Sequence, residues 1–503
     1  MRIFGYQAKQ RFTPKDLLGG LTVAFIVIPQ GLAYAEIAGV PPVRGLYAAA
    51  LPAIAAAPFA SSRYLQTGPT AMTALLSFGA VTALATPGTD EYIGLSLLLA
   101  VVVGLARLGF GLIKGGTVTN FMSPPVILGF TTAAGVLILF SQIPTALGLA
   151  NPPVGLAARL PDALARAGEW SGPAIGLSVA VALIVWGSRK LGPLVPGVLI
   201  AVAIGVLIGM NTSYPAPLVG AIPEGLPPIS FNLPWSRLLD LAVPGIVIAL
   251  VGFAEPTAIA RTMATRDRER WHASRELVSQ GLANLASGVS GGFPVGGSFA
   301  RSAISRMAGA RSRWAGAVTG LFVLAFMPFA GVLAKLPKAV LAAIVIMAII
   351  SLLDLPELLR LLKVSWGQSF VAWTTIVATL VLAPRVDLGV IVGVLVAAGV
   401  HVYREGNRIG VVAEYQEGLL KLRPIGVLFY GSAEALGRAL SEQLALNPEC
   451  RSLVIDLSRL GRIDYSGATM VRRFVEDAKA AGIDAAITRI PLHAEGLFAR
   501  TDP

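Results

Sequence analysis

The sequence predicts an all-helical polytopic membrane protein, built as two inverted halves of seven spans each and followed by a small α/β domain. Three observations carry this. Hydrophobic residues make up 55% of the 503 and charged residues only 14%, against roughly 25% charged in soluble domains. Apolar stretches recur until about residue 404 and then give way to polar sequence. Two short apolar segments, one in each half of that region, are interrupted by glycine and proline in the same manner.

Mean hydropathy is +0.72, and a helix needs ~20 apolar residues to cross a bilayer. Clear runs cover 17–32, 93–112, 126–140, 175–186, 195–210, 242–254, 315–330, 340–353, 370–382 and 388–402. Shorter or interrupted runs lie near 44–60, 69–85, 274–289 and 299–309, giving fourteen spans in all. The basic N-terminus feeds straight into the first span without an evident cleavage site, so no signal peptide is expected.

The net charge of +12 reads as positive-inside asymmetry rather than nucleic-acid binding. With the N-terminus inside, the inner loops hold Arg63, Arg107 with Lys114, Arg189 with Lys190, the solvated run 261–275, 306–313, and Arg360 with Lys363. Lys335 and Lys338 fall outside and break the rule. Both termini are therefore expected in the cytoplasm, with the chain multi-pass in the cell membrane, a bacterial inner membrane.

A proline-rich polar stretch at 211–234 divides the apolar region into repeats of about 10–210 and 235–404. Leu17-Leu18 aligns with Leu238-Leu239, Gly31 with Gly252 and Ala33 with Ala254, and Glu36 falls near Glu255. Seven is odd, so two seven-span halves must run in opposite senses, as an inverted repeat.

The broken segments read Tyr64-Leu-Gln-Thr-Gly-Pro-Thr-Ala-Met-Thr-Ala-Leu-Leu76 and Gly291-Gly-Phe-Pro-Val-Gly-Gly-Ser-Phe-Ala-Arg-Ser-Ala-Ile-Ser305. Each has an extended lead-in followed by a helix that starts on small hydroxylated residues. A bilayer tolerates such backbone only where it is buried in protein or lines a cavity. Paired breaks in two halves mark the binding site of a secondary transporter. A helix starting mid-membrane offers free N–H groups and a positive dipole end, hence an anion site. The candidate binding residues are Thr67, Gly68, Thr70, Gly297, Ser298, Phe299, Ala300 and Arg301, with Gln30 after Pro29 in the first helix. Close helix packing would also account for the glycines. An arginine inside a membrane segment costs at least ~2.5 kcal/mol and usually faces a cavity or a partner, so Arg301 reads as the anion's counter-charge.

Glu36 and Glu255 interrupt otherwise apolar helices. Either could carry a proton with the substrate, or Glu255 could hold Na⁺ together with Thr257. A salt bridge to Arg44 or Arg261 is the structural alternative. The histidines show no metal-ligand spacing, and there is no Walker A loop, His-Glu-x-x-His or nucleophile elbow. Enzymatic catalysis finds no support, and no cofactor is expected beyond the coupling ion, H⁺ or Na⁺.

From residue 405 to 503 the pattern changes. Val427–Tyr430, 453–457 and 485–487 read as strands, and 433–446 and 467–481 as helices, giving an α/β domain. The lone Cys450 excludes an internal disulfide.

The stretch Pro29-Gln-Gly-Leu-Ala-Tyr-Ala-Glu-Ile-Ala-Gly-Val-Pro-Pro-Val-Arg-Gly-Leu-Tyr47 resembles the signature of the sulfate permease (SulP) family of anion transporters. Gln66-Thr-Gly-Pro-Thr70, Ala254-Glu-Pro-Thr-Ala-Ile-Ala-Arg261 and Ser298-Phe-Ala-Arg-Ser302 also match. The tail resembles a STAS domain through Ile455-Asp-Leu-Ser458 and Ile463-Asp-Tyr-Ser-Gly467. The resemblance covers nearly the whole chain. It implies fourteen helices in a uracil-permease-like fold, a core domain moving against a gate domain, and a substrate site between the third and tenth helices. Its eighth-helix acidic position falls on Glu255 and its tenth-helix arginine on Arg301. It also implies a homodimer and a regulatory partner for the STAS domain. Tyr465 stands where related STAS domains carry a phosphorylated serine, so phosphoregulation there is not expected.

The reading is thus secondary active transport of a small oxyanion (sulfate, bicarbonate or a dicarboxylate) by H⁺- or Na⁺-coupled symport. An uncoupled anion channel, an exchanger, a nucleobase permease and a regulatory sensor are the alternatives.

Overall fold

The computed structural model describes residues 11–116, 122–153, 155, 158–192, 194–350, 353–406 and 409–500. The extreme termini, on which part of the predicted topology rests, lie outside these. The chain forms two compact units, Met1–Val394 and Leu395–Pro503. The division falls inside a helix that ends at Gly406, ahead of the expected boundary at 405.

Among the described residues, the first unit runs through α1 (Pro14–Ile37), α2 (Val43–Ala56), α3 (Ala71–Thr82), α4 (Asp90–Leu112), α5 (Pro124–Ala146), α6 (Arg159–Ala165), α7 (Gly172–Leu191) and α8 (Gly197–Asn211). The linker follows, then α9 (Leu238–Arg266), α10 (Ala273–Val289), α11 (Phe299–Met307), α12 (Trp314–Phe326), α13 (Lys338–Ile350), α14 (Leu355–Val364), α15 (Trp366–Val381) and α16 (Val386–Gly406). The short α6 and α14 hold the same place in each half, after the fifth helix. Setting them aside leaves seven apolar helices on either side of the linker.

Among the described residues, eight stretches are long and apolar enough to cross a membrane on their own. The 12-residue α3 and 9-residue α11 are not, since a helix rises 1.5 Å per residue against a hydrocarbon core of about 30 Å. Each is preceded by three extended residues: β1 (Gln66–Gly68) and β2 (Gly296–Ser298). The segment near 274–289, one of the runs expected to be shorter or interrupted, is continuous in α10. The run 315–330 is shorter than expected as α-helix: α12 stops at Phe326 and tightens into 3₁₀ turns over Met327–Lys335. Pro328 lacks the N–H that would continue the ladder.

Two sets of helices emerge. In one, α1 packs on α2, α11 and α12, and α4 on α9 and α10. In the other, α5 packs on α13 and α15, and α7 on α8 and α13. Buried carboxylates fix the first set. Asp16, fully buried, accepts from the Arg311 and Ser312 amides at 2.7 and 2.8 Å, tying the start of α1 to the α11–α12 turn. Glu276 accepts from the Ser61 and Ser62 amides at 3.0 and 2.7 Å, tying α10 to the segment before β1. The run 261–275 is therefore not one loop: its first part continues α9 and its last residues begin α10.

In the second unit β3 (Gly410–Gln416) pairs antiparallel with β4 (Leu419–Leu428). β4 runs parallel to β5 (Ser452–Asp456) and, at its far end, to β6 (Leu460–Ile463), while β5 runs parallel to β7 (Asp484–Thr488). α17 (Tyr430–Ala445), α18 (Tyr465–Ala480) and α19 (Leu492–Arg500) complete it. The core gathers Leu420, Leu422, Leu453, Ile455, Leu436 and Val471. The expected strand at 427–430 is the end of a longer one, and Tyr430 already belongs to α17. The β3–β4 hairpin was not expected. Its two-residue turn, Glu417-Gly418, has φ of 48° and 85°, the geometry that usually selects Asn-Gly.

Candidate functional site

β1 and β2 pair with each other, antiparallel, in the register Gln66↔Ser298, Thr67↔Gly297 and Gly68↔Gly296. Residues about 230 apart are thus held side by side through backbone N–H and C=O groups, which an extended segment cannot satisfy within itself. The consequence is geometric: α3 and α11 begin next to one another. Gly297 permits the approach, since a Cβ there would lie 2.7 Å from Leu65 Cδ1 and 3.1 Å from Pro256 Cγ.

The two helix starts differ. At α3, Thr70 is the N-cap, and its Oγ1 accepts from the Thr73 N–H at 3.2 Å. That end satisfies one of its own donors. At α11, Ser298 is the N-cap but makes no side-chain cap. At the α11 end the partner comes from another helix instead: the Glu255 carboxylate faces the Phe299 amide.

Arg301 lies one turn into α11 and is 1% exposed. Its Nη1 donates to the Pro69 carbonyl at 2.9 Å and to Gln30 Oε1 at 3.4 Å. Among the described residues its Nη2 has no hydrogen-bond partner, and a Cβ on Gly68 would lie 3.5 Å from it. Tyr34 and Glu255 are its electrostatic neighbours. The guanidinium is thus anchored at Nη1, buried and unpartnered among the described residues at Nη2, and bordered by a position without a side chain.

The structure brings together Gln30, Gly68, Gly297, Ser298, Phe299, Ala300, Arg301 and Glu255. Phe299 is 50% exposed and Ala300 is also exposed, so these two side chains are not packed within the chain. Three expected residues turn away. Thr67 Oγ1 accepts from Gln280 Nε2 at 2.7 Å, because alternation along β1 sends it toward α10. Thr70 is buried and spends its hydroxyl on the cap. Thr257 donates to its own Phe253 carbonyl at 2.8 Å. It stands two residues from Glu255, about 200° around the helix, so these two side chains do not share an ion. Glu36 is elsewhere too: it pairs with Lys338 at 2.8 Å, not with Arg44 or Arg261.

Helical spacing carried part of this. Tyr34 is four residues from Gln30 and shares its face, whereas Glu36 is six residues away and points across the helix. Tyr34 could have been found that way. Arg107 could not. It is not in an inner loop but inside α4, fully buried, donating to the Ala249, Val295 and Ile248 carbonyls at 3.1, 2.8 and 3.4 Å. It braces α9 and the lead-in to β2.

Comparison with known proteins shows the family. The profile of the Sulfate permease family matches residues 14–375, and that of the STAS domain matches residues 411–502. The chain is 28% identical to "Probable sulfate transporter 4.2" of Arabidopsis thaliana, over 94% of this chain and 75% of that one. It is 29% identical to the "Sodium-independent sulfate anion transporter" of Bos taurus, over 94% of this chain and 83% of the relative. The solved structure of SLC26A9 has the same fold, with a TM-score of 0.89 at 20% identity, covering 97% of this chain and 86% of the other. With residues 14–375 matched by one profile and 411–502 by the other, the chain belongs to the sulfate permease family: it is a multi-pass membrane anion transporter with a C-terminal STAS domain.

Proposed function

We propose that this protein is a secondary active transporter of small oxyanions such as sulfate, bicarbonate or a dicarboxylate. The anion binds at the start of α11, against Arg301 Nη2 and the positive end of that helix, next to Gly68. The observation that carries this is a buried guanidinium held by the Pro69 carbonyl and Gln30, with one nitrogen left for a ligand. Helix-end amides and guanidinium forks both suit carboxylate-like and tetrahedral oxyanions. The two relatives whose names give sulfate as the substrate favour that anion.

Transport proceeds by alternating access, the α1–α4 and α9–α12 set moving against the rest around the site. Of the two carboxylates expected to couple transport, Glu255 adjoins the anion site, so it is the coupling group. The bovine relative's sodium independence favours H⁺ over Na⁺. The protein works as a homodimer in the cell membrane, a bacterial inner membrane, with both termini cytoplasmic and the STAS domain open to a regulatory partner.

Uptake of labelled sulfate, bicarbonate and succinate into proteoliposomes, at two pH values with and without Na⁺, tests the reading. Saturable uptake of at least one anion, driven by an inward proton gradient, is expected. Large single-channel currents without a coupling ion would instead make it a channel, and obligatory counter-anion would make it an exchanger.

A further inference from the structure

Glu36 stands away from the anion site, and its partner gives it a different task. Its carboxylate meets Lys338 Nζ at 2.8 Å. Glu36 lies in the last turn of α1, in the first helix set, whereas Lys338 opens α13, in the second. Each is on a fixed support. Behind Glu36, Gly39 turns the chain at φ +76° and the Tyr92 hydroxyl donates to the Ala38 carbonyl at 2.7 Å. Behind Lys338, the linker folds back: the Lys338 N–H donates to the Pro217 carbonyl and the Val219 N–H to Leu336, each at 2.9 Å.

The pair lines a cavity of about 590 Å³, together with Phe78 of α3, Gln142 of α5 and Arg159 of α6. Arg159 is an electrostatic neighbour of Glu36, but its Nε and Nη1 already donate to the Pro153 and Ser141 carbonyls at 2.9 and 3.3 Å. Lys338 is thus the cation in direct contact with Glu36. It is also one of the two lysines that break the charge rule of the sequence.

We propose that Glu36 and Lys338 form a latch between the two helix sets, closed in this structure, that must open whenever the sets part on this side. The inference rests on the alternating-access reading above. The pair is only partly buried, with the Lys338 side chain 33% and the Glu36 side chain 19% exposed, so water can take up the charges as they separate and offset much of their attraction. Such a contact favours one state without trapping it. Neither side chain needs to touch the anion, so both are positioning residues.

Electron–electron double resonance on the full chain in nanodiscs tests this. In a Cys450→Ser background, spin labels at Pro87→Cys and Ala150→Cys report the two rims of the cavity, one from each helix set. Glu36→Gln and Lys338→Gln should each populate a longer distance, shifted by roughly 5 Å, the scale of one helical turn. The exchanged pair, Glu36→Lys with Lys338→Glu, should restore the original distribution. If sulfate moves the distances in the otherwise unchanged protein but the single variants overlay on it, or the exchange fails to restore it, the latch is overturned and alternating access stands. If no condition moves any distance, both fail.

Discussion

The Arg301 guanidinium donates to the Pro69 carbonyl at 2.9 Å. This bond links a residue inside one half-helix to the residue just before the other. Together with the β1–β2 ladder, it makes one site from two halves of the chain that are 232 residues apart. The carbonyl aims the guanidinium without neutralising it, so the positive charge remains for a ligand.

Arg301→Gln should abolish that charge while keeping a side chain able to donate to Pro69. Uptake at low substrate concentration is expected to fall roughly 10- to 100-fold, the equivalent of one charge-assisted hydrogen bond of about 1.5–3 kcal/mol. Arg301→Lys should recover part of it, since a lysine supplies the charge but not the planar fork. Initial rates in proteoliposomes measure both, and equal losses in the two variants would remove the charge from the argument.

Gly68→Ala separates binding from folding. The added methyl would sit 3.5 Å from Arg301 Nη2 and 3.9 Å from Ala49 Cα and Val27 Cγ2, ordinary contact distances. Thermal stability in detergent should therefore stay near that of the unchanged protein. The methyl occupies the space beside the free nitrogen, so the apparent KM for the anion should rise. A variant that melts early with an unchanged KM would show that Gly68 serves packing alone.

Glu255→Gln should make uptake insensitive to external pH while leaving anion binding measurable by calorimetry. The amide keeps an oxygen to face the Phe299 N–H but cannot exchange a proton. Retention of the full pH dependence of transport would move the coupling group elsewhere.

In the STAS domain, burial pushes the Asp456 carboxyl up, but the Ser458 hydroxyl and amide, with Arg489 and Arg423, hold it below the usual carboxylate range. A lowered folded value means a stabilising contribution that is complete above the ordinary pKa of about 4. It fades as pH falls through the lower folded value. Asp456→Asn should therefore speed hydrogen exchange of the β5 amides at pH 7, with the difference from the unchanged protein closing in strong acid. A difference that stays constant down to acid pH would exclude the charge as its source.

Much of the architecture was legible in the residues. Fourteen apolar runs, a polar midpoint at 211–234 and two matching breaks suffice for the two-halved plan, because water exclusion leaves helices as the default for apolar spans. Arg301 was legible for the same reason: a charge that costs energy in a membrane needs a purpose. The Glu417-Gly418 hairpin was not, since Glu is a poor signal for a turn with positive φ. Arg107 was misread because an arginine near the end of an apolar run looks like a loop residue until its three carbonyl partners, from distant elements, are in place.

The sequence by itself determined which residues carry charge, which segments must be helical and where the backbone is broken. Only the tertiary structure decided which of these side chains meet. Thr67, Thr70 and Thr257 looked like ligands but bond to the scaffold, because strand alternation, capping and helical phase turned them there. Glu36 and Glu255 looked alike, yet one crosses to Lys338 and the other faces the start of α11. Local pattern fixes the composition of a face, but the partner across it comes from a remote part of the chain, and no periodicity within a segment encodes that.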